Sequence, residues 1–555
     1  MLVKITNLNK SIGSKDLFNE LSLSINEGEK VALIGRNGLG KTSLFRIVAG
    51  EDKDFTGVIE LKKETRIIMT QQEHHTQNPE ITALDYILND AYLYRDLKAR
   101  LSVDPETLGE DMDKIQDYSD AVMHFSELGY YEIEDKIISS LEDFGVNMEK
   151  ALGPLRQLSG GEKRFVELVR VMFSNSNLVL IDEPTNHMDY VGKQKFIDWL
   201  IHDSGKGFME DSAMILITHD RDVLKHVDRI IELRDKKMTS FVGNYDAYLK
   251  QNSIKTVSSI AEYEISLKRL EKLESQIKEA RVVKMQSFNQ SARIREERFQ
   301  KEYDDIKANL KKPSFWIDEE SKELMSDKVV DKYEKYKEKN INILKNNDRE
   351  HKKELLKITN LFVGYEHPLF KNIHFNLNHG DRFMIKGRNG AGKTTLIKTI
   401  LNQFDNNKYS SKSTIFSGEI KFNVGVRIGL YEQEISEVFL KSTLSDAIYK
   451  VYEEAKIEIN DRKVKGLLNQ YLFDPMTDGE RKIEILSGGQ KARFQIIKML
   501  VNNPNLLILD EPTNHLDLPS IEELEKSLQE YHGAILYITH DTYLMEKLGG
   551  EVVLI

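Results

Sequence analysis

At 555 residues, with 40% apolar and 30% charged side chains, the chain is too long for one ordinary core and too apolar for a disordered one, so two or three folded domains are expected. No apolar run reaches the roughly 18 residues that a membrane-crossing helix needs, and the opening MLVKITNLNK alternates like a strand without the apolar core of a signal peptide. Zero cysteines exclude disulfides and thiolate metal sites and fit a cytoplasmic protein, while a formal charge of −11 excludes a surface coated in basic groups.

In chain order, a buried-strand pattern (KVALIG) runs into the glycine-rich GRNGLGKT and a helical pattern, TSLFRIVAG. TQQEHH follows, with Gln71 and Gln72, and then a charged, helix-friendly stretch containing YLYRDLKARL and SDAVMHFSEL. LSGGEKR begins at Leu158, LVLIDEPTNHMD ends at Asp189, ITHD ends at Asp220, and GNYDAYLK occupies Gly243–Lys250. Residues 251–352 are rich in Lys, Glu and Arg. There AEYEISLKRLEKLESQIKEARVVK carries apolar residues at helical spacing and Glu/Lys pairs three or four apart, LKKPSFWIDEE breaks the helix at Pro313, and helical character resumes at SKELMSDKVVDKYEKYKEK.

The phosphate loop, LSGG, DEPTNH and ITHD elements then recur in the same order, as GRNGAGKT at Gly387–Thr394, LSGGQKAR from Leu486, LLILDEPTNHLD ending at Asp517 and ITHD ending at Asp541, with Gln433 in YEQEIS between the first two. Ser159 to Asp182 and Ser487 to Asp510 are both 23 residues. The interval from Gln72 to Ser159 is 87 residues and that from Gln433 to Ser487 is 54, so the first copy holds 33 more, assigned to a helical arm over 85–127. Two α/β domains of one kind are expected, 1–250 and 353–555, joined by a helical linker over 251–352.

A Gly-x4-Gly-Lys-Thr loop between strand and helix surrounds phosphate oxygens with backbone N–H groups and a helix N-terminus. This assigns phosphate binding to Gly35, Arg36, Asn37, Gly38, Leu39, Gly40, Lys41, Thr42 and Ser43, and to Gly387, Arg388, Asn389, Gly390, Ala391, Gly392, Lys393, Thr394 and Thr395. The lysines reach the outer phosphates and Thr42 or Thr394 holds Mg²⁺. Asp182 and Asp510 end apolar strands and suit the Mg²⁺ shell, while Glu183 and Glu511 are placed to polarise an attacking water. His219 and His540 each follow an apolar strand, within reach of a γ-phosphate.

These motifs resemble the ABC ATPase superfamily over both domains. The resemblance implies a RecA-like α/β core with a helical subdomain, two bound ATP with Mg²⁺, and an LSGG that faces the ATP of the opposite domain. Site one then joins Lys41 and Glu183 to Ser487, Gly488 and Gly489; site two joins Lys393 and Glu511 to Ser159, Gly160 and Gly161. Gln72 and Gln433 align with the family's Q-loop glutamine, a further Mg²⁺ ligand. Tyr365 (VGYEHPLF) stands where an aromatic stacks on adenine, whereas the first copy has Ile12 there. Closure that depends on the γ-phosphate is released by hydrolysis.

Tandem domains, no membrane segment, EPTNH followed by Met-Asp or Leu-Asp, and a linker of about 100 charged residues starting directly after GNYDAYLK resemble the ABC-F family of ribosome-associated proteins. That resemblance implies binding in the E-site region of the 70S ribosome as a monomer with paired domains. It also implies a linker approaching the peptidyl-transferase region and P-site tRNA, an arm on the ribosome, and a role as translation factor or in antibiotic resistance. Lys311, Lys312 and Trp316 combine charge with an aromatic suited to RNA contact. Competing readings are a transport ATPase docking on separate membrane chains, and an ATP-driven clamp on DNA. With 15 residues after His540, no C-terminal extension is expected.

Overall fold

The computed structural model describes residues 1–13, 15–70, 80–103, 111–186, 188–202, 212–234, 236–287, 290–310, 330, 353–405, 413–433, 435–471, 473–486, 488–514 and 516–555. They form two units, Met1–Ser240 with Ile341–Ile555, and Phe241–Asn340.

In the first unit, the leading half contributes β1 (Val3–Ile12), β2 (Lys15–Ile25), β3 (Lys30–Gly35), β4 (Thr56–Leu61), β5 (Ile67–Met69), β6 (Leu178–Asp182), β7 (Ala213–Ile217), β8 (Arg229–Arg234) and β9 (Lys237–Val242). The trailing half contributes β10 (Glu354–Gly364), β11 (Pro368–Asn378), β12 (Arg382–Lys386), β13 (Thr414–Phe422), β14 (Ile428–Tyr431), β15 (Leu506–Asp510), β16 (Ala534–Ile538) and β17 (Glu551–Leu554). Each half has a small antiparallel sheet, ordered β2-β1-β4 or β11-β10-β13, and a larger sheet, ordered β5-β6-β7-β3-β8-β9 or β14-β15-β16-β12-β17. Pairing is parallel from β5 to β8 and from β14 to β17.

Continuous apolar runs explain why these strands are central. Every residue of LVLID, AMILI, LLILD and AILYI is buried, as a parallel sheet covered on both faces requires. Because β3 lies between β7 and β8, the carboxyl ends of β3, β6 and β7 gather at one edge, where an open α/β sheet binds ligands. The helix Lys41–Val48 closes the sheet by burying Leu44, Phe45, Ile47 and Val48 in a core shared with β1 and β2.

The helical subdomains account for the length difference between the copies. Thr82 caps the helix Ala83–Leu88 and bridges to Pro154; Thr443 caps Leu444–Glu454 and bridges to Lys482. Those intervals are 72 and 39 residues, so all 33 extra residues fall inside them. The added elements are the helices Tyr94–Leu101 and Met112–Glu127, which pack as a pair tied by Arg100 and Asp117 at 2.9 Å. The arm expected over 85–127 therefore starts later: Asp85–Leu88 belongs to a helix both halves possess, and apolar spacing alone did not separate it from the insertion.

In the second unit the helix Tyr245–Ser287 runs antiparallel to Gln290–Asn309, held by Arg269–Glu302 at 2.6 Å and Arg281–Glu296 at 2.9 Å. This reversal comes before Pro313, and the bend that the sequence placed there lies outside the described residues; MQSFNQSA contains neither glycine nor proline to mark a turn. The helix also starts inside GNYDAYLK, ahead of residue 251. Lys311, Lys312 and Trp316 lie outside the described residues.

Candidate nucleotide sites between the two halves

Each phosphate loop ends in a glycine with left-handed φ, 93° at Gly40 and 97° at Gly392, which starts a helix without a side-chain cap. A Cβ at Gly392 would lie 2.9 Å from the Phe370 ring, so conformation and space both demand glycine. The uncapped N–H groups, with no acidic residue in either first turn, leave a positive helix end facing the loop. Lys41 Nζ spans its loop to Gly35 O at 2.6 Å and Arg36 O at 3.3 Å; Lys393 Nζ reaches Gly387 O at 2.9 Å and Arg388 O at 3.1 Å. Burial lowers both lysine pKa values, against the upward pull of nearby carboxylates.

Thr42 Oγ1 donates to Asp182 Oδ2 at 2.7 Å and Thr394 Oγ1 to Asp510 Oδ2 at 3.0 Å, so a hydroxyl and a carboxylate converge at each sheet edge. These hard oxygen donors fit Mg²⁺, which takes one or two protein oxygens and completes its shell with phosphate and water. Glu183 and Glu511 follow directly in the left-handed region, with φ of 48° and 50°. Their amides donate to Ile217 O at 2.8 Å and Ile538 O at 3.0 Å, so the neighbouring strand imposes the conformation. Strain repeated at the same residue in both halves marks a site where side-chain direction matters. Burial, then the adjacent aspartate, pushes both glutamates up to about 8.

His219 Nε2 stands 3.4 Å from Glu183 Oε1, and His540 Nε2 stands 3.3 Å from Glu511 Oε1. Neither Nε2 has an aligned hydrogen-bond partner among the described residues, and both rings line the cavity below. Burial, then the phosphate-loop lysine, lowers these histidines to about 3 and about 4, so they are neutral near pH 7. Buried, unpaired ring nitrogens of this kind are suited to a ligand oxygen.

The two halves complete each other's loops. Asn37 N donates to Asp517 Oδ2 at 3.2 Å, and Asn389 N donates to Asp189 Oδ2 at 3.1 Å. Gly489 faces the first loop, a Cβ there lying 4.0 Å from Asn37 Nδ2. One cavity of about 2070 Å³ is lined by both phosphate loops, Ser159–Gly161, Asp182, Glu183, His219, Tyr365, Gln433, Asp510, Glu511 and His540. Tyr365 is half exposed with its hydroxyl 3.3 Å from Thr395 Oγ1, and Ile12 borders the cavity at the other loop. Ser159 Oγ is engaged in a capping box, donating to Glu162 Oε2 at 2.9 Å. Gln72 and Ser487 lie outside the described residues.

Sequence reasoning passed over Asp189 and Asp517, although each stands four residues after its Pro-Thr, and it passed over a buried ion pair between the halves. Arg221 reaches Glu525 at 3.0 Å and lies 4.7 Å over the Tyr543 ring. Beside it Asp541 is pushed up to about 6, by burial first and also by Glu525 and Asp220, while Arg221 pulls it down. Its ordinary value is 3.8. The folded state therefore holds this proton more tightly than the unfolded state, and stability is lost as pH rises from about 4 to about 6, by up to about 3 kcal/mol. Asparagine can still accept from Tyr543 N and Leu544 N as Asp541 does. Asp541→Asn is expected to match the parent in thermal unfolding near pH 4 and to exceed it above pH 6; a pH-independent difference would refute this assignment.

Paired phosphate loops, each followed by a hydroxyl–carboxylate pair and a glutamate in left-handed backbone, define a tandem P-loop ATPase. The sequence matches the family described as ABC transporter over residues 18–186 and 370–514, and a further model with the same description covers 231–318. The chain belongs to the ABC transporter family, in the tandem form of its ABC-F type. Among its relatives are a putative ATP-binding protein, YdiF, of Bacillus subtilis (strain 168), 28% identical over 100% of this chain and 79% of its own. A probable ATP-binding protein, YbiT, of Escherichia coli O157:H7 is 27% identical over 100% and 95%. The ribosome protection protein VmlR of Bacillus subtilis (strain 168) is 27% identical over 100% and 86%. Among solved structures, archaeal ribosome recycling factor aABCE1, in complex with stalk protein aP1, shares the fold with a TM-score of 0.57 at 15% identity, over 99% of this chain and 87% of its own. Among the described residues no helix is long and apolar enough to cross a membrane.

Proposed function

We propose that the protein is an ATP-driven clamp that acts on the ribosome, its domains being 1–250 and 353–555 with 251–352 as the reaching linker. The observation that carries the clamp is the reciprocal contact of Asp517 with Asn37 N and of Asp189 with Asn389 N, because a nucleotide held there touches both halves. Likeness along its whole length to a ribosome protection protein supports the ribosome as partner.

In this reading Lys41 and Lys393 hold the outer phosphates, and Thr42, Asp182 and Gln72, or Thr394, Asp510 and Gln433, would hold Mg²⁺, which supplies charge neutralisation when bound. Glu183 and Glu511 orient and deprotonate water, the neutral His219 and His540 donate to the γ-phosphate, and Tyr365 stacks on adenine. Ser487–Gly489 and Ser159–Gly161 present donors from the facing half. Loss of the γ-phosphate removes the contacts that keep the halves together. Lys311, Lys312 and Trp316 approach P-site tRNA near the peptidyl-transferase centre.

The test is cosedimentation of the Glu183→Gln/Glu511→Gln protein with 70S ribosomes. Retention with ATP and release with ADP are expected. ATP-dependent binding to membranes or DNA, with none to ribosomes, would overturn the ribosomal reading.

A further inference from the structure

The two halves differ where the helix that follows LSGG meets the catalytic strand. In the first half this helix, Gly160–Met172, carries Arg164 one turn beyond Ser159–Gly161. The Arg164 guanidinium donates to Asp182 O, and to Glu183 O at 2.9 Å. It therefore grips the two peptide carbonyls around the residue whose backbone is held at φ 48°. In the second half the same position is Ala492, whose methyl group cannot donate a hydrogen bond. The next residue, Arg493, turns instead to Tyr471 O at 3.1 Å and stacks 4.8 Å over the Phe473 ring. Glu511 keeps its own left-handed backbone and its Ile538 bond without such a grip among the described residues.

The consequence follows from which site each element serves. Ser159–Gly161 belong to site two, across from the second phosphate loop, whereas Glu183 belongs to site one. Arg164 is rooted in the helix that begins at the first group and ends on the backbone of the second. We propose that Arg164 is a positioning residue that ties the direction of Glu183 in site one to the placement of the Ser159–Gly161 helix at site two, and that no equivalent tie runs from site one to site two. A nucleotide drawing on the donors of Ser159–Gly161 shifts this helix, and Arg164 carries the shift to the Asp182 and Glu183 carbonyls. The second site, with Ala492, lacks that route. Arg164 touches neither phosphate nor water in this scheme. It acts through Glu183, as a misdirected reacting group costs rate even when every catalytic side chain remains.

This inference rests on the reading of Glu183 and Glu511 as the hydrolytic carboxylates, and the experiment keeps the two apart. Single-turnover ATP hydrolysis is measured in full-length protein in two backgrounds: Glu511→Gln, which reports site one, and Glu183→Gln, which reports site two. Arg164→Ala is expected to lower the site-one rate about tenfold, with the ATP concentration for half-maximal rate changed less than about twofold. In the site-two background the rate is expected to change by less than about twofold. Arg164→Gln, which keeps one donor, is expected to restore part of the site-one rate, and it supplies the test if the alanine variant does not fold. Equal loss in both backgrounds would make Arg164 a general structural residue, and no loss at site one would overturn the proposal outright. If the Glu183→Gln/Glu511→Gln double variant hydrolyses ATP at the parental rate, the assignment of the carboxylates fails, whatever Arg164 does.

Discussion

Replacing both Glu183 and Glu511 by glutamine is expected to lower ATP turnover by roughly 10²–10⁴-fold, the range a positioned general base contributes. The substitution removes proton affinity but preserves size, and the left-handed backbone at both positions is set by the Ile217 and Ile538 carbonyls, which remain. ATP should still bind, because Lys41, Lys393 and the uncapped helix ends are untouched. The protein should then accumulate with both halves closed on unhydrolysed nucleotide. Phosphate release measured against retained ATP checks this. Parental turnover would show that another group activates the water.

The second large effect lies at the seam between the halves. Arg221 is 5% exposed, and Glu525, its partner at 3.0 Å, is fully buried, so Arg221→Ala leaves a carboxylate in the interior. Breaking such a pair costs about 3–5 kcal/mol. Lys547 Nζ still holds Glu525 at 2.8 Å, which places the expected loss near the lower end, at about 3 kcal/mol. The stacking over Tyr543 is lost with it. Denaturant unfolding of Arg221→Ala and of Arg221→Ala/Glu525→Leu separates the terms. The double variant should recover part of the stability, since leucine in place of Glu525 removes the stranded charge, while the volume lost with Arg221 stays lost. If both variants lose the same amount, the penalty is packing and not charge.

Much of the site was legible because its chemistry is local. A glycine-rich loop, the lysine and threonine after it, and an Asp-Glu at the end of an apolar strand are contiguous segments, and repetition supplied the correspondence between copies. Contacts made over long separations were not legible. Asn37 and Asp517 are 480 residues apart, and Arg221 and Glu525 are 304 apart, and nothing in the sequence around either member of a pair points to the other. Arg164 was hidden for another reason: in LSGGEKR a basic residue has many uses, and only the fold brings it to the carbonyls of Asp182 and Glu183. The linker shows the limit of turn chemistry, as the chain reverses between Ser287 and Gln290 without the glycine or proline that would announce it. The mixed charge of this segment is used between Tyr245–Ser287 and Gln290–Asn309, in the Arg269–Glu302 and Arg281–Glu296 bonds, whereas the helix expected after Pro313 lies outside the described residues.

The central claim is that each site is built from both halves, and Gly489 tests it most directly. An added Cβ there meets Asn37 Nδ2 and Asp517 Oδ2 only at 4.0 and 3.9 Å, so a side chain fits, but an aspartate would bring negative charge to the face of the first phosphate loop. The measurement is single-turnover hydrolysis in Gly489→Asp/Glu511→Gln protein, in which only site one can react. Site one is expected to fall by about 10²-fold or more, although Lys41, Thr42, Asp182 and Glu183 are all intact. An unchanged rate would mean that the first half hydrolyses ATP without the second, and the shared-site account would be wrong.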